Sequence, residues 1–262
     1  MKRAASHPAI QGKPRARSSS ISFQRGFSLI ELLIVICITG ALTAMLMPGL
    51  QMAREGARRL ICASNERQIG VGLALFAKDE NERMPDSWFQ DENRFADMMA
   101  LSSGQQRSNI DPRYTHEPQF EGLGHLLPMA GGYCDSASCF YCPSHRGKHT
   151  IEKYQGQFHA QNRTPVYANY HYTGDKIHQD QKPYRRLFGG SSEQVLLTDG
   201  LRTLSDYSHS NGMNVLRGDV SVQWKADTGG QISELLPMSI PESGMQWHNH
   251  IQAIWDSLEF NN

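Results

Sequence analysis

No aspartate or glutamate precedes Glu31, and no lysine or arginine lies between Arg25 and Arg54. The first 26 residues hold six basic side chains (Lys2, Arg3, Lys13, Arg15, Arg17, Arg25) and no acid, so the rest of the 262-residue chain is net acidic. A nucleic-acid binder shows the reverse, a basic folded part, so no nucleic acid is expected as a partner. G-x-S-x-G, H-E-x-x-H, a Walker loop and a Rossmann glycine string are all missing, which argues against an enzyme of those classes. No internal repeat or extended low-complexity tract appears. Aromatic residues are scarce before position 84 and frequent after it, so the later part can build a core.

What is present is an apolar run. From Phe27 to Met47 the only charge is Glu31. At about 1.5 Å per residue this run reaches roughly 31 Å as a helix, one hydrocarbon core. It is too long for a secretory h-region and lacks a small-x-small site after it. The six basic residues ahead of it outweigh Arg54, Arg58 and Arg59 beyond it, so the leader is expected in the cytoplasm and residues 50 onward outside. On hydropathy alone the segment reads as a signal anchor.

The stretch "GFSLIE" (26 to 31) followed by that run resembles the type III signal of prepilins, shared by type IV pilins and type II secretion pseudopilins. The resemblance implies cleavage between Gly26 and Phe27 by a prepilin peptidase, methylation of Phe27 by the same enzyme, and placement in the bacterial inner membrane. Glu31 becomes the fifth mature residue, where the family has its glutamate, and Gly40 and Pro48 fall where pilins often have Gly and Pro. The leader is long for a pilin. The implied role of Glu31 is assembly: a carboxylate in an apolar bundle pairs with a neighbouring subunit's N-terminal amine and sets axial register. Against this stands a tolerated interfacial acid four residues into the membrane.

Pro48 is expected to kink the helix, having no N–H and a ring that displaces the carbonyl of Ala44; alternatively it ends a membrane helix. Ala53, Ala57, Leu60, Ile61 and Ser64 recur at three- and four-residue steps opposite Arg54, Arg58 and Glu66, then Ile69, Leu73 and Phe76 follow. This predicts an amphipathic continuation over 49–80, stopping at a polar run before Pro85, with Gly70 and Gly72 weakening it or permitting close packing. The head, 81–262, reads as short strands: 193–200 ending in a turn, and 212–225 as two strands around Arg217-Gly218-Asp219 with Val220, Val222 and Trp224 on one face. Ile251, Ile254, Trp255 and Leu258 are spaced for a helix, while 101–120 and 143–165 look like loops. The expected fold class is α+β, a long N-terminal helix packed on a small antiparallel sheet. The head resembles a bacterial group of prepilin-like proteins of unknown function whose signature is H-x9-DG. His209 and Asp219 match its spacing, but Val220 stands where the glycine belongs; "CASNERQIGVGLALFAKDENERMP", "GLGHLLP", "YCPS" and "LLTDG" resemble that group's segments too.

Five cysteines remain. Cys37 lies in the apolar run as a small filler. Cys62, Cys134, Cys139 and Cys142 face an oxidising compartment and can form one or two disulfides in any of three pairings. Cys139 and Cys142 with His145 and His149 offer zinc-type ligands at a spacing unlike a standard finger. His209 and Asp219 are read as structural hydrogen-bonding residues rather than an acid–base or metal pair, and Asp199 and Asp219 as turn residues. No EF-hand string supports calcium, although some pseudopilins bind it through acidic loops. His248 and His250 beside Trp247 read as surface or core decoration. No cofactor is expected. The expected function is a prepilin-like structural subunit joining other pilin-like subunits in a pseudopilus or type IV pilus-like filament. The alternative is a membrane-anchored extracytoplasmic binding module that uses the signal only for export and display.

Overall fold

The computed structural model describes residues 26–85, 99–102, 120–158, 164–173, 192–209, 211–239, 253–255 and 257–258. The leader up to Arg25, and Trp247, His248, His250 and Ile251, lie outside the described residues. One helix, α1 (Leu29–Asp79), carries both the apolar run and its amphipathic continuation. It begins at Ser28, whose N–H donates to Glu31 Oε2 at 2.9 Å while its carbonyl accepts from the Leu32 N–H at 3.2 Å. A serine at the cap with glutamate three residues on is the capping-box arrangement, the acid satisfying an amide that the helix leaves unpaired. The helix continues through Pro48, so Pro48 does not end it. One lost N–H does not stop a helix whose adjoining turns are intact.

The chain divides into two compact units, residues 1–49 and 50–262. In the first, every described residue from Gly26 onward is exposed. The hydroxyl of Thr39 donates to the Val35 carbonyl at 2.8 Å, and that of Thr43 to the Thr39 carbonyl. The two threonine hydroxyls of this stretch are thus satisfied within the helix, as a bilayer demands.

The second unit is built on a four-stranded antiparallel sheet in the order β3 (Tyr170–Tyr172), β4 (Val195–Asp199), β5 (Gly212–Arg217), β6 (Val222–Ala226). Two shorter strands, β1 (Ala100–Ser102) and β2 (Val166–Tyr167), pair beside it. The 101–120 reading is corrected at its start, since Leu101 is a fully buried strand residue, and 143–165 contains the helical turn α2 (Ile151–Tyr154). Elements of three or four residues are too short for a periodicity to show. Both faces of β5 are covered, which is why all six of its residues are buried. On one face Asn214 donates to the Arg59 carbonyl of α1 at 3.3 Å, and Leu216 joins the core that contains Ile69, Leu73 and Ala77. Met213 and Val215, one step out of phase, join a second core with Ile254, Trp255 and Leu258, which the helical spacing had singled out. The period of two along the strand divides these cores.

The face that α1 turns to this sheet is the expected one at Ile69 and Leu73 and differs from it before them. Its buried residues are Cys62, Glu66, Ile69, Gly70, Gly72, Leu73 and Ala77, whereas Ala53, Ala57, Leu60, Ile61 and Ser64 are all exposed. Leu60 is 70% exposed and Glu66 is 0% exposed, the opposite of the apolar stripe read from hydrophobicity. The reason is chemical: the buried stripe includes the Glu66 carboxyl group, which does not score as apolar. Gly70 and Gly72 serve close packing, since a Cβ at Gly70 would lie 2.8 Å from Leu216 Cδ1 and one at Gly72 2.9 Å from Cys134 Sγ.

Candidate functional site

Between α1 and the end of the sheet lies a buried polar cluster. Cys62 comes from α1, Cys142 from the segment after the 3-10 turn Ala137–Phe140, Asp199 from the last position of β4, and His209 from the approach to β5. All four are buried, and one ligand atom from each lies within 4.8 Å of the other three. Cys62 and Cys142 are joined as a disulfide with Cα atoms 5.1 Å apart. Of the three pairings open from sequence, none other contains this bond, so it leaves Cys134 and Cys139 as a second pair. These two are free and buried, the Cys139 thiol donating to the Ser136 carbonyl at 3.0 Å and the Cys134 thiol lying 3.9 Å from the Gln68 carbonyl. The free Cys37 is exposed on the apolar run.

His209 is the centre of the cluster. Its Nε2 lies 3.5 Å from Cys142 Sγ and 3.6 Å from Asp199 Oδ2, while its Nδ1 lies 2.6 Å from Glu55 Oε1. Glu55 in turn accepts from the Ser144 hydroxyl, 3.0 Å from each carboxylate oxygen. Trp224 lies edge-on to the imidazole, with ring centroids 5.6 Å apart, and the Arg59 guanidinium covers the indole at 4.0 Å. The Cys62 sulfur accepts from the Tyr170 hydroxyl at 3.4 Å. Asp199 Oδ2 accepts from the Asn214 N–H at 2.7 Å, but among the described residues Oδ1 has no partner, and neither has either carboxyl oxygen of Glu66. Burial pushes Asp199 up to about 6, against the opposing pull of His209, and raises Glu66 well above the carboxylate range, with Asp199 adding to the effect. A cleft of about 690 Å³ lined by Arg54, Arg58, Arg146, Tyr207 and Ser208 opens onto Glu55 from the solvent side.

His209 and Asp219 stand on either side of β5 and do not meet. Asp219 is exposed and accepts from the Ser221 N–H at 2.9 Å in a turn, and its Ser221 hydrogen bonds hold the carboxyl below its usual range. The residue after it, Val220, has φ 65°, the left-handed region where the H-x9-DG signature places glycine. The zinc-type set Cys139, Cys142, His145 and His149 is dispersed. Cys139 is with Cys134, Cys142 with Cys62, and His145 lies 3.6 Å from Asp206. His149 is held by Tyr154 Oη and Arg202 Nη1, each at 2.6 Å, and burial next to Arg202 lowers it to about 3. Local spacing assembled the wrong set because the ligand-type residues that converge are contributed by distant segments. Glu55, Cys62 and Glu66 escaped notice as a group, although steps of seven and four place them on one helix face. Asp199, which the sequence presents only as a turn residue, is a member of the cluster.

At the N-terminal end, Gly26 and Phe27 precede α1 without regular structure, Phe27 being 78% exposed. A peptide bond in this setting is open to a protease. Glu31 is the fifth residue from Phe27 and lies in the first turn of α1.

Residues 21–47 match the prokaryotic N-terminal methylation motif. Residues 51–201 match the model of a family described as proteins of unknown function, DUF1559. No curated protein matches the chain, and no solved structure does. The methylation motif covers the exposed apolar run, and the second match covers more than half the chain, from the membrane-distal part of α1 through β4. The chain therefore belongs to the DUF1559 family and is a prepilin-like protein, its α+β head joined to an N-terminal helix fit to anchor it in a membrane with a single pass.

Proposed function

We propose that this chain is a structural filament subunit rather than an enzyme. A prepilin peptidase cuts it between Gly26 and Phe27 and methylates Phe27. The head then lies outside the cytoplasmic membrane, and α1 assembles with the helices of other pilin-like subunits into a type II secretion pseudopilus or a type IV pilus-like filament. The observation that carries this reading is that α1 has apolar surface beyond what its own head covers. From Leu29 to Gly49 the helix is exposed throughout, and the exposed stripe goes on past the membrane segment through Leu60, Ile61, Val71 and Leu75. A plain anchor needs apolar surface for the length of the bilayer only. A helix that packs in a bundle needs it further along.

Glu31 separates its two uses in a test. Within one chain it caps Ser28, and in a filament it pairs with a neighbouring N-terminal amine. Glu31→Gln keeps a side chain able to close the capping box but removes the charge, whereas Glu31→Leu removes both. Both variants are expected to be inserted and cleaved, as read by intact mass and N-terminal sequencing, and both are expected to lose assembly in a shearing or cross-linking assay. Assembly at the native level with Glu31→Gln would remove the charge-pairing role. An uncleaved native chain would overturn the prepilin reading as a whole.

A further inference from the structure

We propose that the buried cluster is a zinc site in the dithiol form of the protein, with Cys62, Cys142, Asp199 and His209 as ligands and Glu55 as the carboxylate behind the histidine. Two thiolates, one imidazole nitrogen and one carboxylate oxygen are a zinc donor set; calcium and magnesium prefer oxygen alone. Their four ligand atoms already lie within 4.8 Å of one another. The histidine is arranged as a metal ligand is: Nε2 points at the cysteine and aspartate, and Nδ1 is engaged by Glu55 at 2.6 Å. Independently of that geometry, Asp199 Oδ1 is buried without a hydrogen-bond partner among the described residues, and so are both oxygens of Glu66 on the same stretch of α1. Buried carboxyl oxygens left unpaired are costly, and a cation in the cluster offsets that cost at Asp199, whose other oxygen already accepts from the Asn214 N–H.

The disulfide and the ion are alternatives for the same two sulfurs. Opening the Cys62–Cys142 bond takes two electrons and two protons, supplied by an external dithiol that leaves as its own disulfide. Zinc then binds the two sulfurs as thiolates and releases their protons to solvent. The cleft that opens onto Glu55 gives the solvent-side approach. This inference does not depend on filament assembly.

The test uses the full detergent-extracted protein, reduced under argon with an excess of dithiothreitol and freed of that reagent before zinc or cobalt is added. The expected result is one ion per chain by equilibrium dialysis and elemental analysis. Cobalt should give the visible bands of a tetrahedral ion and thiolate-to-cobalt charge transfer in the near ultraviolet. The oxidised protein should bind neither ion. Cys142→Ser and His209→Ala should lose the cobalt spectrum, Glu55→Gln should weaken zinc binding about 10–100-fold, and a Cys134→Ser/Cys139→Ser double variant should keep the site. Circular dichroism reports folding in parallel. If reduction unfolds the protein, zinc should restore the fold, and failure to do so overturns the proposal. Reduced, folded protein that takes no zinc, or takes it through Cys134 and Cys139, overturns it as well.

Discussion

Val220 shows how one backbone angle carries information that a motif only hints at. A β-branched side chain at φ 65° is strained by about 1–2 kcal/mol, yet Val220 also packs against the core near Gly70. Alanine and glycine at this position both remove the packing methyls, but glycine alone relieves the angle. Val220→Gly is therefore expected to be more stable than Val220→Ala by about 1 kcal/mol in urea unfolding, although it is the smaller residue. Glu66 supports a second prediction at the same scale. Its carboxyl is raised by burial, so the folded state keeps a proton that the unfolded chain releases above pH ~4.5. More protons are bound in the folded state, so this group's contribution to stability falls as pH rises from that point toward the folded value. Glu66→Gln in metal-free protein should remove that dependence, about 1.4 kcal/mol per pH unit, as read from denaturation midpoints across the weakly acidic range. The opposite slope difference would mean that Glu66 is charged in the folded protein.

At the scale of elements, glycines divide by what surrounds them. Gly56 lies on an exposed turn of α1 with nothing near a Cβ, so Gly56→Ala should stabilise the helix by about 0.5–1 kcal/mol. Gly124 lies in the 3-10 turn Gly122–Leu126, where a Cβ would fall 1.8 Å from the Leu101 carbonyl oxygen of β1. Gly124→Ala must separate the turn from the strand and should cost about 1–3 kcal/mol or more; thermal melts of the two variants check both signs. The same contrast explains what was legible in the sequence. The existence of α1, β4, β5 and β6 could be read because apolar residues repeat with the right period or run between turn signals. Ile254, Trp255 and Leu258 were legible for the same reason. The burying face of α1 was legible where Ile69 and Leu73 recur at helical spacing but not at Glu66, since a hydrophobicity pattern cannot see a carboxyl group that burial keeps neutral. Nor was the polar cluster, whose parts lie up to 154 positions apart, as Glu55 and His209 do. Only the folded chain brings β4, the approach to β5 and α1 to one place.

For the whole molecule, the exposed apolar stripe of α1 is where the proposed assembly can be tested. Leu60 and Leu75 are exposed and outside the sheet-facing core, so Leu60→Lys and Leu75→Lys should leave the unfolding free energy within about 0.5 kcal/mol. They should nevertheless reduce subunit cross-linking in membranes, since a lysine in an apolar helix contact must be desolvated without a partner. Loss of fold in either variant would show that the stripe belongs to the subunit's own core. One covalent feature bears on how the helix and the head hold together. The Cys62–Cys142 bond rivets the membrane-distal half of α1 to the head, eighty residues further along the chain. Tension applied along that helix is then passed to the head through sulfur rather than through side-chain packing alone, so the helix cannot peel away from the sheet until the rivet is cut.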